Sequence, residues 1–278
     1  MIRLQLVALP LLLLIACKEK SSPQEVKIKQ SLLPAVSTVQ RDTNNKAIHV
    51  FVALCDNKYQ VIVPVPAGIG NGQDPASNLY WGAGYGVKSF FIHKSRDWQL
   101  ITAWKNPAAN ILERLLLKHR SKDIYLLADA YDGRFIRQAT INFFTAASGN
   151  NEIEIEVKGK KIFFGGAADL IAYVGHDGLM DFSLEQAFKK SNDKPREAIM
   201  LACYSKNYFS PHLKQGGATP LLWTSGLMAP EAYTLHDAIH EWANNSTPQQ
   251  VRLAAARAYA KYQHCSLKAA QNLLVQGW

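Results

Sequence analysis

Two reactive side chains stand at the ends of apolar runs in the second half of the chain. The run "LIAYVGHDG" (170–178) carries His176, and the run "AIMLACYS" (198–205) carries Cys203. Short continuous apolar runs of this kind are typical of buried strands. A cysteine sulfur attacks as the thiolate, and a free thiol has a pKa of about 8.5, so a nearby imidazole is needed to manage its proton. The pattern therefore predicts acyl transfer by a Cys/His pair, provided that the two strands are neighbours.

The spacing of the two residues suits neighbouring parallel strands. The separation of 27 residues (203 − 176) leaves room for one crossover helix, which we predict in "SLEQAFKKSNDK" (183–194). Parallel strands lie about 4.8 Å apart, so side chains at their ends can face one substrate bond. Cys203 would attack a carbonyl carbon, His176 would transfer the proton, and the amides of Gly178 and Cys203 could hold the oxyanion.

The rest of the chain supplies further strands that alternate with helices. Strands are predicted at 48–57, 123–133 and 218–226, with weaker candidates at 61–66 and 97–104 and a hairpin at 152–164. Helices are predicted at 108–120, 134–148, 229–245 and 247–275. This alternation predicts an α/β fold with a mostly parallel sheet sandwiched by helices. Reacting groups gather at the carboxyl ends of such strands, where we expect Cys55, Asp129, His176 and Cys203.

The His and Cys runs, in this order and context, resemble the caspase-like cysteine peptidases, and in particular their bacterial CHAT-like members. The segment "HLKQGGATPLLWTSGLMAPEAYTLHDAIHEWA" after Cys203 is similar to the segment that follows the family's cysteine, and the resemblance covers about residues 168–245. It implies a caspase-like three-layer architecture and an endopeptidase that needs no cofactor. It also implies that the strand of His176 lies between those of Cys55 and Cys203, which would keep these two cysteines too far apart for a disulfide.

The sequence departs from the family directly after the histidine. The family has glycine there, whereas this chain has Asp177 and then Gly178. Either the turn is shifted by one residue, or the oxyanion hole is built otherwise, or the site has lost activity; an ionised Asp177 would also oppose thiolate formation. Asp56 stands where related peptidases often place specificity residues and could favour a basic side chain before the cleaved bond. Asp56 and Asp177 are thus the candidate substrate-binding residues.

The N-terminus carries the features of a bacterial lipoprotein signal. Arg3 precedes an apolar run that ends in Leu14-Ile15-Ala16-Cys17, which resembles a lipobox with Cys17 as the acylated residue. The organisation predicted is a signal peptide (1–16), a lipidated cysteine with a polar tether (17–47) and one α/β domain (48–278). Acyl chains on Cys17 would hold the protein on a membrane. Lys18 after the cysteine is typical of an outer-membrane destination facing the periplasm, within the bacterial cell envelope.

Other functions have weaker support. The net charge of +9 is compatible with nucleic acid, but an exported lipoprotein meets little of it, so the expected partners are a peptide or protein substrate and the membrane. No metal is expected, because zinc-type cysteine spacing is absent; His236 and His240 have the i, i+4 spacing of a metal pair but lack the glutamate of HExxH. The open alternative is a catalytically inactive lipoprotein that uses the same fold to bind a partner or maintain the envelope.

Overall fold

The structure is a computed structural model, and it describes residues 26–31 and 45–278. Two sheets account for its strands: β1 (Val26–Ser31), β2 (Lys46–Ala53), β3 (Trp98–Ala108), β4 (Ile111–His119), β5 (Ile124–Tyr131), β6 (Glu152–Val157), β7 (Lys160–Gly165), β8 (Leu170–Gly175), β9 (Glu197–Leu201), β10 (Thr219–Thr224) and β11 (Leu274–Val275). The helices are α1 (Val87–Ser89), which runs into a π-helical stretch (Phe90–Lys94), α2 (Ile136–Ala147), α3 (Ser205–Gly216), α4 (Ala232–Ala243), α5 (Pro248–Tyr262) and α6 (Leu267–Leu273), with 3₁₀ turns at Gly133–Phe135 and Gly178–Met180.

The larger sheet has eight strands in the order β11-β10-β9-β8-β2-β5-β4-β3. Strands β5, β2, β8, β9 and β10 run parallel to one another, and the flanking β4, β3 and β11 are antiparallel to their neighbours. Every residue of β5 and β8 is buried, as expected for parallel strands that are covered on both faces. The prediction of an α/β fold with a mostly parallel sheet is confirmed.

Helices pack against both faces of this sheet, because alternate residues of its strands point in opposite directions. Val50 and Val52 of β2 belong to one hydrophobic cluster with residues of α4 and α5. Phe51 and Ala53 of the same strand belong to a second cluster with residues of α2 and α3. The two clusters hold β8 and β9 in place between them, which fixes the ends of these two strands.

A second, smaller sheet is formed by β1, β6 and β7, which are antiparallel. The hairpin predicted at 152–164 is therefore confirmed as β6 and β7. β1 lies within the segment predicted as a polar tether (17–47), so six residues of that segment form a strand on the edge of β6. The predicted signal peptide (1–16) and Cys17 lie outside the described residues. In the part of the chain that the structure describes, no helix combines the length and apolarity needed to cross a membrane.

Three predicted elements are wrong. The segment 108–120 is predicted as a helix but contains β4, which pairs with β3 and β5 along its two edges. Leu115 and Leu117 are buried in one hydrophobic cluster and Leu116 in the other, so both faces of the strand are covered. The segment 61–66 forms no strand, since its two prolines cannot donate to a ladder. The segment 183–194 is not the predicted helix; instead its main chain is tied to other elements, for example by Ser191 N–H, which donates to Ser148 O at 2.8 Å.

Candidate active site

The ends of β8 and β9 bring His176 and Cys203 to the same edge of the sheet. The strands are adjacent and parallel, with Val174 opposite Leu201. His176 follows two residues after Val174, and Cys203 follows two residues after Leu201. The strand of His176 also lies between β2, which leads into Cys55, and β9. The two residues that sequence analysis singled out are thus delivered by equivalent positions of neighbouring strands.

The backbone at both strand ends adopts conformations that aim these side chains. Gly175 has φ +149°, and a Cβ there would lie 2.6 Å from the carbonyl oxygen of Ala53, so only glycine fits before His176. Tyr204, directly after Cys203, has φ 49° in the left-handed region, which costs a non-glycine residue about 1–2 kcal/mol. Its N–H donates to the carbonyl of Gly226 at 2.8 Å, which holds the turn before α3 begins. Strain of this kind is common at functional sites.

His176 and Cys203 line one cavity of about 360 Å³. Four segments of the chain line it: the loop after β2, the turn after β8, the turn after β9 and the loop after β10. Most of the wall is aliphatic, and its members are Val61, Ile62, Val63, Val65, Tyr80, Gly175, His176, Met180, Cys203, Leu227, Met228 and Pro230. A cavity of this size is at the lower end of the range for small-ligand sites, and it has room for one or two side chains of a peptide.

The imidazole of His176 is held by a carboxylate that sequence analysis missed. Its Nε2 lies 2.6 Å from Oδ2 of Asp181, and its main-chain oxygen accepts a hydrogen bond from Tyr173 Oη at 2.9 Å. A carboxylate at Nε2 favours the tautomer with the proton on that nitrogen, so Nδ1 is left as the acceptor. Asp181 therefore orients the ring. The sequence signal was only a carboxylate five residues after the histidine (181 − 176).

The sulfur of Cys203 is hydrogen-bonded to the main chain of Met228. The N–H of Met228 donates to Sγ at 3.4 Å, and Sγ lies 3.6 Å from the carbonyl oxygen of the same residue. Burial raises the pKa of the Cys203 thiol, and the negative charge of Asp177 raises it further; the N–H groups of Met228 and of Cys203 itself act in the opposite direction. Among the described residues, no hydrogen bond joins Sγ to His176, so the two side chains are not directly coupled.

Asp177 is fully buried beside the site rather than in the cavity wall. Its Oδ1 accepts a hydrogen bond from Leu179 N–H at 2.9 Å and so caps the 3₁₀ turn. Its Oδ2 has no hydrogen-bond partner. Burial raises the pKa of Asp177 to about 7, and the nearby charge of Asp181 also raises it. Near neutral pH this carboxyl group therefore changes charge next to the cysteine.

Gly178 and Asp56 are both outside the cavity wall. Gly178 opens the 3₁₀ turn, where an added Cβ would lie 2.7 Å from the ring of Phe182.

Asp56 is buried, and its carboxylate accepts hydrogen bonds from the N–H groups of Lys58 (2.9 Å) and Tyr59 (3.1 Å) and from Gln73 Nε2 (2.6 Å). The structure does not bring these two residues together with His176 and Cys203 around the cavity.

The remaining strand-end candidates are structural. Asp129 lies inside β5 rather than at its end, which corrects the prediction; it is buried and bonded to Arg114, at 2.5 and 2.7 Å, and to His49. Burial alone would raise the pKa of Asp129, but the Arg114 guanidinium lowers it well below its usual value. Cys55 is a buried free thiol whose pKa is raised by burial to about 11, so it is a poor nucleophile.

His236 and His240 lie on α4, but each is engaged by other residues. His240 Nδ1 lies 2.9 Å from Asp97 Oδ2, and His236 Nε2 lies 2.8 Å from Ser95 Oγ. In residues 26–31 and 45–278, no group of three or more His, Cys, Asp or Glu side chains is arranged to hold a metal ion.

A scan against protein-family models and searches of curated proteins and of solved structures found no match to this chain. The assignment of a function therefore rests on the residues and geometry of the site itself.

Proposed function

We propose that the chain is a caspase-like cysteine peptidase in which Cys203 is the nucleophile and His176 the acid/base. The observation that carries the proposal is that both side chains line one cavity at the ends of adjacent parallel strands. The position of β8 between β2 and β9, with helices packed on both faces of the sheet, agrees with the three-layer architecture that the resemblance implies.

The reaction needs only the peptide and water. His176 Nδ1 accepts the thiol proton, Sγ of Cys203 bonds to the carbonyl carbon, and the oxygen takes up the electron pair. When the C–N bond breaks, the imidazolium gives its proton to the leaving amine and a thioester remains. Water then attacks the thioester, which yields a carboxylic acid and restores the thiol. The pair becomes coupled when substrate closes the loops around the cavity, since catalytic hydrogen bonds are often long before substrate binds.

Two further groups support this chemistry. Asp181 would stabilise the imidazolium that forms when the thiol loses its proton, through the 2.6 Å contact at Nε2. The main-chain N–H of Cys203, at the turn into α3, lies near its own sulfur and would donate to the oxyanion.

A second candidate function is favoured by the state of the thiol. Burial and the charge of Asp177 raise the pKa of Cys203, and both effects work against a nucleophile. A catalytically inactive caspase-like protein that binds a partner through the same cavity would keep the geometry without needing the thiolate.

We also propose, from the lipobox-like sequence, that Cys17 is acylated and anchors the domain in the bacterial cell envelope, at the outer membrane and facing the periplasm. The substrate would then be a peptide or protein of that compartment.

The test is hydrolysis of a peptide library by the full chain, compared with Cys203→Ala and His176→Ala variants. Cys265→Ala is the matched control, because Cys265 is also a free, half-buried thiol but does not line the cavity. The proposal predicts cleavage by the wild type and the control only. Binding without cleavage in all four proteins would favour the second candidate.

A further inference from the structure

The wall of the cavity around Cys203 carries no carboxylate, lysine or arginine side chain. Its titratable members are His176, Tyr80 and Cys203 itself, and the other lining residues are apolar or glycine. The nearby carboxyl groups do not line the cavity and are already used or buried: Asp181 is held by His176, Asp56 accepts three hydrogen bonds, and Asp177 lies beneath the surface. A lysine or arginine side chain that entered the cavity would find no counter-ion there, and burial of an unpaired charge is costly.

The mouth of the same cavity is surrounded by exposed apolar side chains. Val61 is 80% exposed, Val63 88%, Leu227 66% and Met180 40%, and all four belong to the cavity wall. Single exposed apolar residues are ordinary, but four around one opening form a patch of the kind that marks a binding site. The exposed fractions also show that these side chains contribute little to the folded core, so their apolar character has no explanation in packing.

The segment that supplies two of these side chains also has a free main chain. Among the described residues, no hydrogen bond involves the main-chain N–H or C=O groups of Val61, Ile62 or Val63. Unpaired groups of this kind can bond to the main chain of an added peptide. The segment thus offers an aliphatic wall for a side chain and polar groups for a backbone at the same place.

We propose that the cavity accepts an uncharged apolar side chain from the substrate residue directly before the cleaved bond. Its size would be that of leucine, methionine or phenylalanine. This inference rests on the proposed peptidase function. It replaces the expected preference for a basic side chain, because the carboxylate of Asp56 does not line the cavity. A volume of about 360 Å³ accommodates such a side chain together with part of the peptide main chain.

The first arm of the test measures kcat/KM for peptides that differ only in this residue. Leucine and phenylalanine peptides should exceed arginine and aspartate peptides by about 100-fold or more, because the charged side chains lose hydration without a partner. Preferential cleavage after arginine or aspartate would overturn the inference while leaving the peptidase function intact.

The second arm needs no catalysis. Iodoacetamides with a benzyl, a carboxylate or a quaternary ammonium tail alkylate Cys203, and the thiolate displaces iodide in each case. Relative to their rates with N-acetylcysteine, the benzyl reagent should label Cys203 about tenfold faster than either charged reagent. If the protein shows this preference for the benzyl reagent but cleaves no peptide, the result supports the apolar specificity of the cavity and refutes the peptidase function. Equal relative rates for the three reagents would overturn the inference itself.

The variant Val63→Asp links the preference to the wall. Val63 is so exposed that the substitution should leave folding unaffected. We expect it to reduce the benzyl preference at least about threefold and to favour the cationic reagent. Leu100→Asp is the matched control, since Leu100 is a 38% exposed leucine on β3, at the far edge of the sheet. An unchanged preference in Val63→Asp, or an equal change in Leu100→Asp, would contradict the inference.

Discussion

Asp177 should make both stability and thiol reactivity depend on pH. Its side chain is fully buried, its Oδ2 has no hydrogen-bond partner, and burial raises its pKa from 3.8 to about 7. The folded state therefore holds this proton more tightly than the unfolded state. The substitution Asp177→Asn removes the titration but keeps an Oδ1 that can accept from Leu179 N–H.

The size and sign of the effect follow from the two pKa values. Their difference of 3.2 (7 − 3.8), at about 1.36 kcal/mol per pH unit, corresponds to about 4 kcal/mol. Because the folded pKa is the higher one, the stability contributed by the proton is present below pH 4 and is lost as the pH rises through 7. Above pH 7 the wild type holds a buried, partly unsatisfied carboxylate, whereas the Asn variant does not.

The assay is urea unfolding of wild type and Asp177→Asn at pH 4.5, 6, 7 and 8, followed by tryptophan fluorescence. The free energy of unfolding of the variant relative to that of the wild type should rise by about 3 kcal/mol between pH 4.5 and pH 8, which is the part of the full effect that this pH range covers. Asp193→Asn is the control, because the Asp193 side chain is 99% exposed. The variant should also be alkylated faster at Cys203 near pH 7.5, since the charge that raises the thiol pKa is gone. A relative stability that stays constant across this range would refute the reasoning.

Three further outcomes follow from the same contacts and from the N-terminal sequence. Asp181→Asn should lower kcat by about tenfold or more with little change in KM, because the imidazolium of His176 loses its partner while the cavity wall is intact. Steady-state kinetics measure kcat and KM separately, and a change in KM alone would contradict the role of Asp181 in orienting and stabilising the imidazolium. Asp129→Asn should reduce the free energy of unfolding by about 3–5 kcal/mol, because it leaves Arg114 charged and buried without its carboxylate. Urea unfolding measures this loss, and a loss below about 1 kcal/mol would contradict the prediction. Cys17→Ser should move the protein from the membrane fraction to the soluble fraction, and an unchanged distribution after cell fractionation would argue against the anchor.

The sheet could be predicted from the sequence wherever a strand is buried on both faces. The continuous apolar runs before Cys55, His176 and Cys203 predict β2, β8 and β9, because a strand that is covered on both faces needs apolar residues in succession. At 108–120 the same feature wrongly predicts a helix, because the leucines of β4 also fit helical spacing. Short apolar runs allow both readings, and the neighbouring β3 and β5 decide between them.

The candidate site could be predicted only in part, because its remaining groups depend on how the loops fold. His176 and Cys203 are marked by their positions after apolar runs. Nothing in the sequence around Asp181 indicates that its carboxylate contacts the imidazole of His176, and nothing around Met228 indicates that its N–H donates to the sulfur of Cys203. The segment 61–66, which supplies part of the aliphatic wall, is predicted as a weak strand, because an exposed apolar loop and an edge strand have similar compositions.

Formation of a thioester on Cys203 is the direct test of whether Cys203 and His176 act on one peptide bond. The full chain is mixed with an activated ester of an acetylated leucine or phenylalanine, quenched in acid and analysed by intact and peptide mass spectrometry. We expect an acyl group on Cys203 that is absent in Cys203→Ala, unaffected in Cys265→Ala and formed far more slowly in His176→Ala. Acylation of Cys55 or Cys265 in place of Cys203, or equal rates with and without His176, would contradict it.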